Sequence, residues 1–139
     1  MSPFSTNEPE ISIPIHEECD VAMARKSVRE AALRAKLPLA AQEAIVIAVS
    51  EIARNIIVHA VEGEIRLRIV ERQSGLGIEV FANDKGTGII DLGKAFEDGY
   101  STANSLGLGL SSARRLVDEF EIISKHGSGT TVVLRKWST

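Results

Sequence analysis

From Leu39 to about Val61, apolar residues recur at three- and four-residue steps: Ile45, Val49, Ile52, Ala53, Ile56 and Ala60. Immediately afterwards the period drops to two. Ile65, Leu67 and Ile69 point one way, and Glu64, Arg66 and Arg68 the other. The first pattern predicts a helix with a single apolar stripe, the second a half-buried strand. Such a helix needs a face to cover and such a strand offers one, so the chain is committed to layered α/β architecture.

The remaining elements follow from the same two periods. Ile11, Ile13 and Ile15 alternate with Ser12 and Pro14, a short strand that its proline confines to a sheet edge. A first helix is predicted from about Glu17 to Lys36 and ends at Leu37-Pro38. Gly63 falls where a C-terminal cap for the second helix belongs. After the strand at Glu64 to Val70, Ser74-Gly75 makes a turn into a hairpin partner over Gly77 to Asn83. Asp84 to Gly109 holds six glycines, which predicts a long loop with one short helical piece near Asp91 to Phe96. A third helix is expected over Leu108 to Glu119, then a hairpin of Phe120 to Lys125 and Thr130 to Trp137. The expected fold is a two-layer α/β sandwich, its mixed but mostly antiparallel sheet covered on one face by helices. Residues 1–10 carry little to bury and are expected as a flexible tail, with residues 11–139 forming one domain.

Composition narrows the function classes. The charge of −3 is spread along 139 residues without a basic stripe, and only 4% are aromatic, which argues against nucleic acid. No apolar run approaches the ~20 residues needed to cross a bilayer, and the polar start lacks an apolar signal core. A single cysteine, Cys19, has no internal partner and suits a reducing compartment. Cytoplasm is the expected location.

Four clusters could carry chemistry: Glu51-x-x-x-Asn55, Asp84-x-Gly86-x-Gly88, Gly107-x-Gly109 and Gly127-x-Gly129-Thr130. Singly, each has a plain explanation as a solvated helix face, a turn, a close backbone contact or a hairpin. Together they meet the needs of a metal-chelated nucleoside triphosphate. Glycine amides at the entrance of a helix, here Gly107 and Gly109, suit a phosphate chain. The side-chain carbonyl of Asn55 is a hard oxygen donor for Mg²⁺, with the phosphates supplying negative charge. One turn away, the Glu51 carboxylate would lie near the terminal phosphate, able to orient a hydroxyl or take its proton. Asp84, at a strand end, can accept a hydrogen bond from an exocyclic amine and would repel a carbonyl, which favours adenine over guanine.

In order and spacing these clusters resemble the N, G1, G2 and G3 boxes of the GHKL (Bergerat-fold) ATPase and kinase superfamily. Within it the chain is most similar to the bacterial anti-sigma-factor serine/threonine kinases, the stressosome switch kinases among them. The matching stretches are Ser50 to Asn55 (SEIARN), Asp84 to Ile89 (DKGTGI), Glu97 to Thr102 (EDGYST), Gly107 to Leu110 (GLGL), Arg114 to Phe120 (RRLVDEF) and the GSGT before a Lys-Trp ending. The resemblance spans residues 11–137 and implies an ATP- and Mg²⁺-dependent protein serine/threonine kinase. It implies Asn55 as the Mg²⁺ ligand, Glu51 as catalytic base and Asp84 on the adenine amine with Thr130 in the same network. It also implies Gly86 and Gly88 shaping the adenine end, and Gly107 and Gly109 as the hinge of a short lid over Gly99 to Leu106. His59 shares a helix side with Asn55 and could contact phosphate, though a packed or solvated histidine fits equally. The implied acceptor is a STAS-domain antagonist, and the implied further partners are a PP2C-type phosphatase or a sigma factor. Related kinases include dimers, and the sequence points to no dimer face.

The lid carries no Lys or Arg between Gly99 and Ala113, so a cation for developing phosphate charge is missing from it. Lys85, Arg54, Arg114 and Arg115 read as surface charges. The sequence shows no sign of a histidine phosphoacceptor segment, so autophosphorylation on histidine is not expected. The competing function is a nucleotide-gated binding module with little kinase activity, and retention of Glu51 favours catalysis. An ATP-driven machine needs further domains. A Rossmann enzyme needs its glycines directly after the first strand.

Overall fold

The computed structural model describes residues 2–60, 62–84, 105–125 and 129–139. Its elements run β1 (Ile11–Ile15), α1 (Glu18–Arg34), α2 (Leu39–His59), β2 (Gly63–Arg72), β3 (Gly75–Asp84), α3 (Ser105–Leu116), β4 (Glu119–Lys125) and β5 (Gly129–Trp137). The strands form one sheet in the order β1-β2-β3-β5-β4. Every pairing among them is antiparallel, so the expected parallel admixture does not occur among the described residues. Hairpins join β2 to β3 and β4 to β5, while the connection from β3 to β4 crosses over through α3 and leaves β5 between them, so these two strands of like direction never pair. Pro14 sits on edge strand β1, where its missing N–H costs no ladder bond.

One sheet face carries Ile65, Leu67, Ile69, Ile78, Val80, Ala82, Val132 and Leu134, all buried against the helices. The alternation of β2 selects this face, and the register continues it into β3 and β5: Ile65 pairs with Ala82, which pairs with Val132. α2 answers with Ile45, Val49, Ile52, Ala53 and Ile56. Helix ends differ from expectation by a few residues. At the start of α1, Asp20 accepts the amides of His16 and Glu17, which hold its carboxyl below the usual range. At its end Lys36 takes φ 62°, and the amides of Lys36 and Leu37 return to Leu33 and Ala32. That is a Schellman stop, placed before Pro38 and with lysine where glycine is usual. α2 is capped at Ala60, so Gly63 is not its cap but the first residue of β2. α3 begins at Ser105, earlier than expected, so Ser105 and Leu106 belong to the helix rather than to a lid. No helix among the described residues is long and apolar enough to cross a membrane.

The opposite face is not simply wet. Glu79, fully buried, lies between Arg68 and Arg135, each 2.7 Å away, and Arg135 reaches Glu119 at 3.2 Å and Glu121 at 3.3 Å. The expected tail covers this row. The Ser5 carbonyl accepts the Glu71 amide at 2.9 Å, and Phe4 packs edge-on to Trp137 with centroids 4.8 Å apart. Arg135 stacks under the same Phe4 ring at 5.1 Å. Ser2, Phe4 and Ser5 therefore dock on the sheet, because an aromatic and a hydroxyl are what a buried ion row needs to shed water.

Burial alone would push the Glu79 carboxyl up. The Ser2 hydroxyl and the Arg135 and Arg68 guanidinium groups outweigh it and hold the group below its usual 4.5. A folded-state value below the unfolded one gives stability that is complete above about pH 4.5 and is lost as pH falls through the depressed value. Urea unfolding from about pH 7 to about pH 3 should record that loss, and Glu79→Gln should flatten the profile while lowering stability at neutral pH. Equal slopes for the two proteins would contradict the assignment.

Candidate active site

α2, β3, β5 and α3 converge on one small cavity. Ile52, Asn55 and Ile56 come from α2, Ala82 and Asp84 from β3, Thr130 and Val132 from β5, and Leu110 from α3. The convergence has a local cause in each element. Asn55 follows Ile52 by three positions and precedes Ile56, so it stands at the edge of the buried stripe. Ala82 and Asp84 alternate on the same strand face, with Ala82 buried and Asp84 the last residue of β3. Asp84 pairs in register with Thr130, and its Oδ1 accepts the Thr130 amide at 3.2 Å. The neighbouring pair adds a Thr131 hydroxyl donating to Asn83 Oδ1 at 2.7 Å, on the other side of the sheet.

The cavity has an apolar floor of Ile52, Ile56, Ala82, Val132 and Leu110, with a carboxylate and a hydroxyl at one wall and an amide at another. The cavity is too small to enclose a whole ring, and its apolar lining with few, fixed polar groups suits one edge of a flat heteroaromatic ring bearing an amine. Asn55 adds a second observation. Its Nδ2 is buried and has no hydrogen-bond partner among the described residues, an unmet demand that ordinarily costs about 1–3 kcal/mol. Because the two ends of the amide differ only by a flip, the side chain can present its carbonyl oxygen as a hard ligand. No group of three or more His, Cys, Asp or Glu that could hold a metal ion occurs among the described residues. A single neutral amide oxygen is a donor that suits an ion bringing most of its oxygens with it, as Mg²⁺ does on a polyphosphate.

Of the residues singled out by sequence, Asn55, Asp84 and Thr130 are brought together here. Glu51 lies one turn before Asn55 on α2, partly exposed, with Arg54 Nη1 3.8 Å from its Oε1. Arg54 also reaches Glu18 of α1 at 3.4 Å, so it bridges two carboxylates rather than standing as a lone surface charge. His59 ends α2, is exposed, and is not among the described residues lining the cavity. Gly107 and Gly109 lie within α3, at its third and fifth residues, instead of preceding the helix. Gly86, Gly88, Lys85, Gly127 and most of the expected lid fall outside the described residues, as does the helical piece near 91–96. Arg114 and Arg115 are exposed on α3. Sequence reasoning missed the cavity floor, since Ile52 and Ile56 read there only as core. The available signal was position: both flank Asn55 on one helix stripe.

Residues 14–136 match the histidine kinase-like ATPase domain family. The chain is similar to the serine/threonine-protein kinase RsbT of Bacillus subtilis (strain 168), 38% identical over 125 residues, or 90% of this chain and 94% of that one. It is also similar to the anti-sigma F factor of Thermoanaerobacter sp. (strain X514), 33% identical over 94 residues, 65% of this chain and 66% of the relative. Among solved structures, the RsbU and RsbW domains of Rv1364c from Mycobacterium tuberculosis superpose with TM-score 0.66 at 20% identity. That match covers 94% of this chain and 32% of the larger one, and it speaks for the fold.

Proposed function

Since the chain belongs to the histidine kinase-like ATPase (GHKL) family, in its branch of anti-sigma-factor serine/threonine kinases, we propose that it phosphorylates a hydroxyl on a STAS-domain antagonist with ATP. Its setting would be a bacterial stress or sigma-factor pathway in the cytoplasm. Adenine would lie on the apolar floor of the cavity, its amine donating to Asp84 with Thr130 in the same network. Gly86 and Gly88 would shape that end, and the amides around Gly107 and Gly109 at the α3 N-terminus would face the phosphates. Asn55 would hold Mg²⁺, which when bound neutralises phosphate charge. Glu51 would take the proton of the acceptor Ser or Thr as its oxygen bonds to the γ-phosphorus. The bond to the β–γ bridging oxygen breaks and ADP leaves. The protein does little covalent work, because placement and charge stabilisation dominate phosphoryl transfer.

The observation that supports this reading most is the meeting of Asn55, Asp84 and Thr130, from three separate segments, on one cavity. Incubation with γ-labelled ATP, Mg²⁺ and a panel of purified STAS-domain proteins tests it. Label should appear on a Ser or Thr of one of them. Normal ATP binding with no label on any partner would end the kinase reading.

The likeness to anti-sigma F factors favours a second reading, a nucleotide-gated module that grips a sigma factor or activates a PP2C-type phosphatase, as monomer or homodimer. Under it, partner capture depends on bound nucleotide and Glu51 is dispensable.

A further inference from the structure

We propose that Gly63 is a positioning residue for nucleotide recognition, the point at which the chain lets α2 and the end of β3 approach closely enough to build one cavity. The proposal rests on the nucleotide reading of the site given above.

Gly63 opens β2 only four residues after α2 ends at His59. It pairs in register with Asp84, and its neighbour Glu64 pairs with Asn83. A Cβ at this position would stand 2.6 Å from the Asn83 carbonyl oxygen and 2.7 Å from Ile56 Cγ2. Both distances are shorter than real Cβ contacts allow. The two obstacles are unlike the yielding end of a long side chain: one is backbone, the other the β-branch of a buried isoleucine. Both also belong to the site. Ile56 is part of the cavity floor beside Asn55, and the Asn83 carbonyl is bonded to the amide of Asp84.

Gly63 is not among the glycines of positive φ, so the constraint comes from contact and not from backbone conformation. Any side chain must push β3 away from β2 at residue 83 or push Ile56 along α2. The first displaces Asp84, the second Asn55. Either spoils the match between the adenine-reading carboxylate and the amide, and site geometry off by about 1 Å costs orders of magnitude.

Gly77 supplies the control. A Cβ there would meet Trp137 Cε3 at 2.5 Å and the Lys136 carbonyl at 2.8 Å. That is equally tight, but it lies at the far end of β3, where Gly77 pairs with Val70 and Trp137. Gly63→Ala and Gly77→Ala should both lower Tm. At a temperature where both are folded, only Gly63→Ala should weaken Mg·ADP binding, by about ten-fold or more, and narrow the preference for ADP over GDP. A merely structural glycine would shift Tm and leave both quantities as in the Gly77 variant, which would overturn the proposal. Should Gly63→Ala not fold, the comparison moves to an Ile56→Ala background, where one of the two obstacles is gone. Gly63→Ala/Ile56→Ala should bind Mg·ADP at least several-fold more weakly than Ile56→Ala alone, and equal binding would refute the idea. If the unmodified protein binds no adenine nucleotide, the site reading itself fails. If it binds and the Gly63 variants bind as well, only the positioning role falls.

Discussion

Glu51→Ala protein is expected to transfer phosphate about 10²–10⁴-fold more slowly, the usual worth of a positioned proton acceptor, while binding Mg·ADP as the unmodified protein does. The prediction follows from where Glu51 stands. It is partly exposed, one helical turn from Asn55, and absent from the described lining of the cavity that would hold the base and sugar. Truncating it therefore removes nothing that holds the nucleotide. The fold should tolerate the change, because the loose 3.8 Å contact with Arg54 is an exposed pair, a kind worth at most about 1 kcal/mol. Arg54 keeps Glu18 as a partner. Single-turnover assays with saturating STAS-domain acceptor separate the step from binding. Transfer at the unmodified rate would remove Glu51 from the mechanism and favour the binding-module reading.

The second large effect belongs to Asn55. Its Nδ2 is buried without a partner among the described residues, a burden of about 1–3 kcal/mol. Asn55→Leu removes the polar group and keeps most of the volume. The nucleotide-free variant should then melt no lower than the unmodified protein. Yet the rise in Tm that Mg·ADP produces should vanish, since linkage adds stability only where ligand binds the folded state. Losing the contact that holds the ion forfeits several kcal/mol of charge stabilisation, so turnover should drop by about two to four orders of magnitude. A variant that melts far below the unmodified protein yet keeps its nucleotide-induced shift would mark Asn55 as structural.

Much of this was written in local patterns. The stripe from Ile45 to Ile56 and the alternation from Glu64 to Val70 name the two faces that pack together, and Pro14 names an edge. Asp84 could be assigned to a strand end because two glycines, Gly86 and Gly88, follow within four residues. What sequence hid is what register decides. Nothing local says that Glu79 will face Arg68 and Arg135, because those partners are 11 and 56 residues away and meet only when three strands align. The row of ions then recruits Ser2 and Phe4, which composition alone assigns to a solvated tail. Gly63 was misread for a related reason. Helix punctuation is the commonest use of glycine after a helix, whereas its contact with Asn83 and Ile56 depends on how closely β3 returns. The α3 start was missed because glycine has low helix propensity, which packing of Leu110 and Ala113 into the core overrides.

Titration of the unmodified protein with ADP and with GDP, each with and without Mg²⁺, in a calorimeter probes the site most directly. ADP should bind with one site per chain, more tightly with the ion than without it, and well ahead of GDP; Asp84→Asn should erase that preference. No heat with any adenine nucleotide, or GDP binding as tightly as ADP, would contradict a cavity in which Asp84 reads an amine and Asn55 holds a phosphate-bound ion.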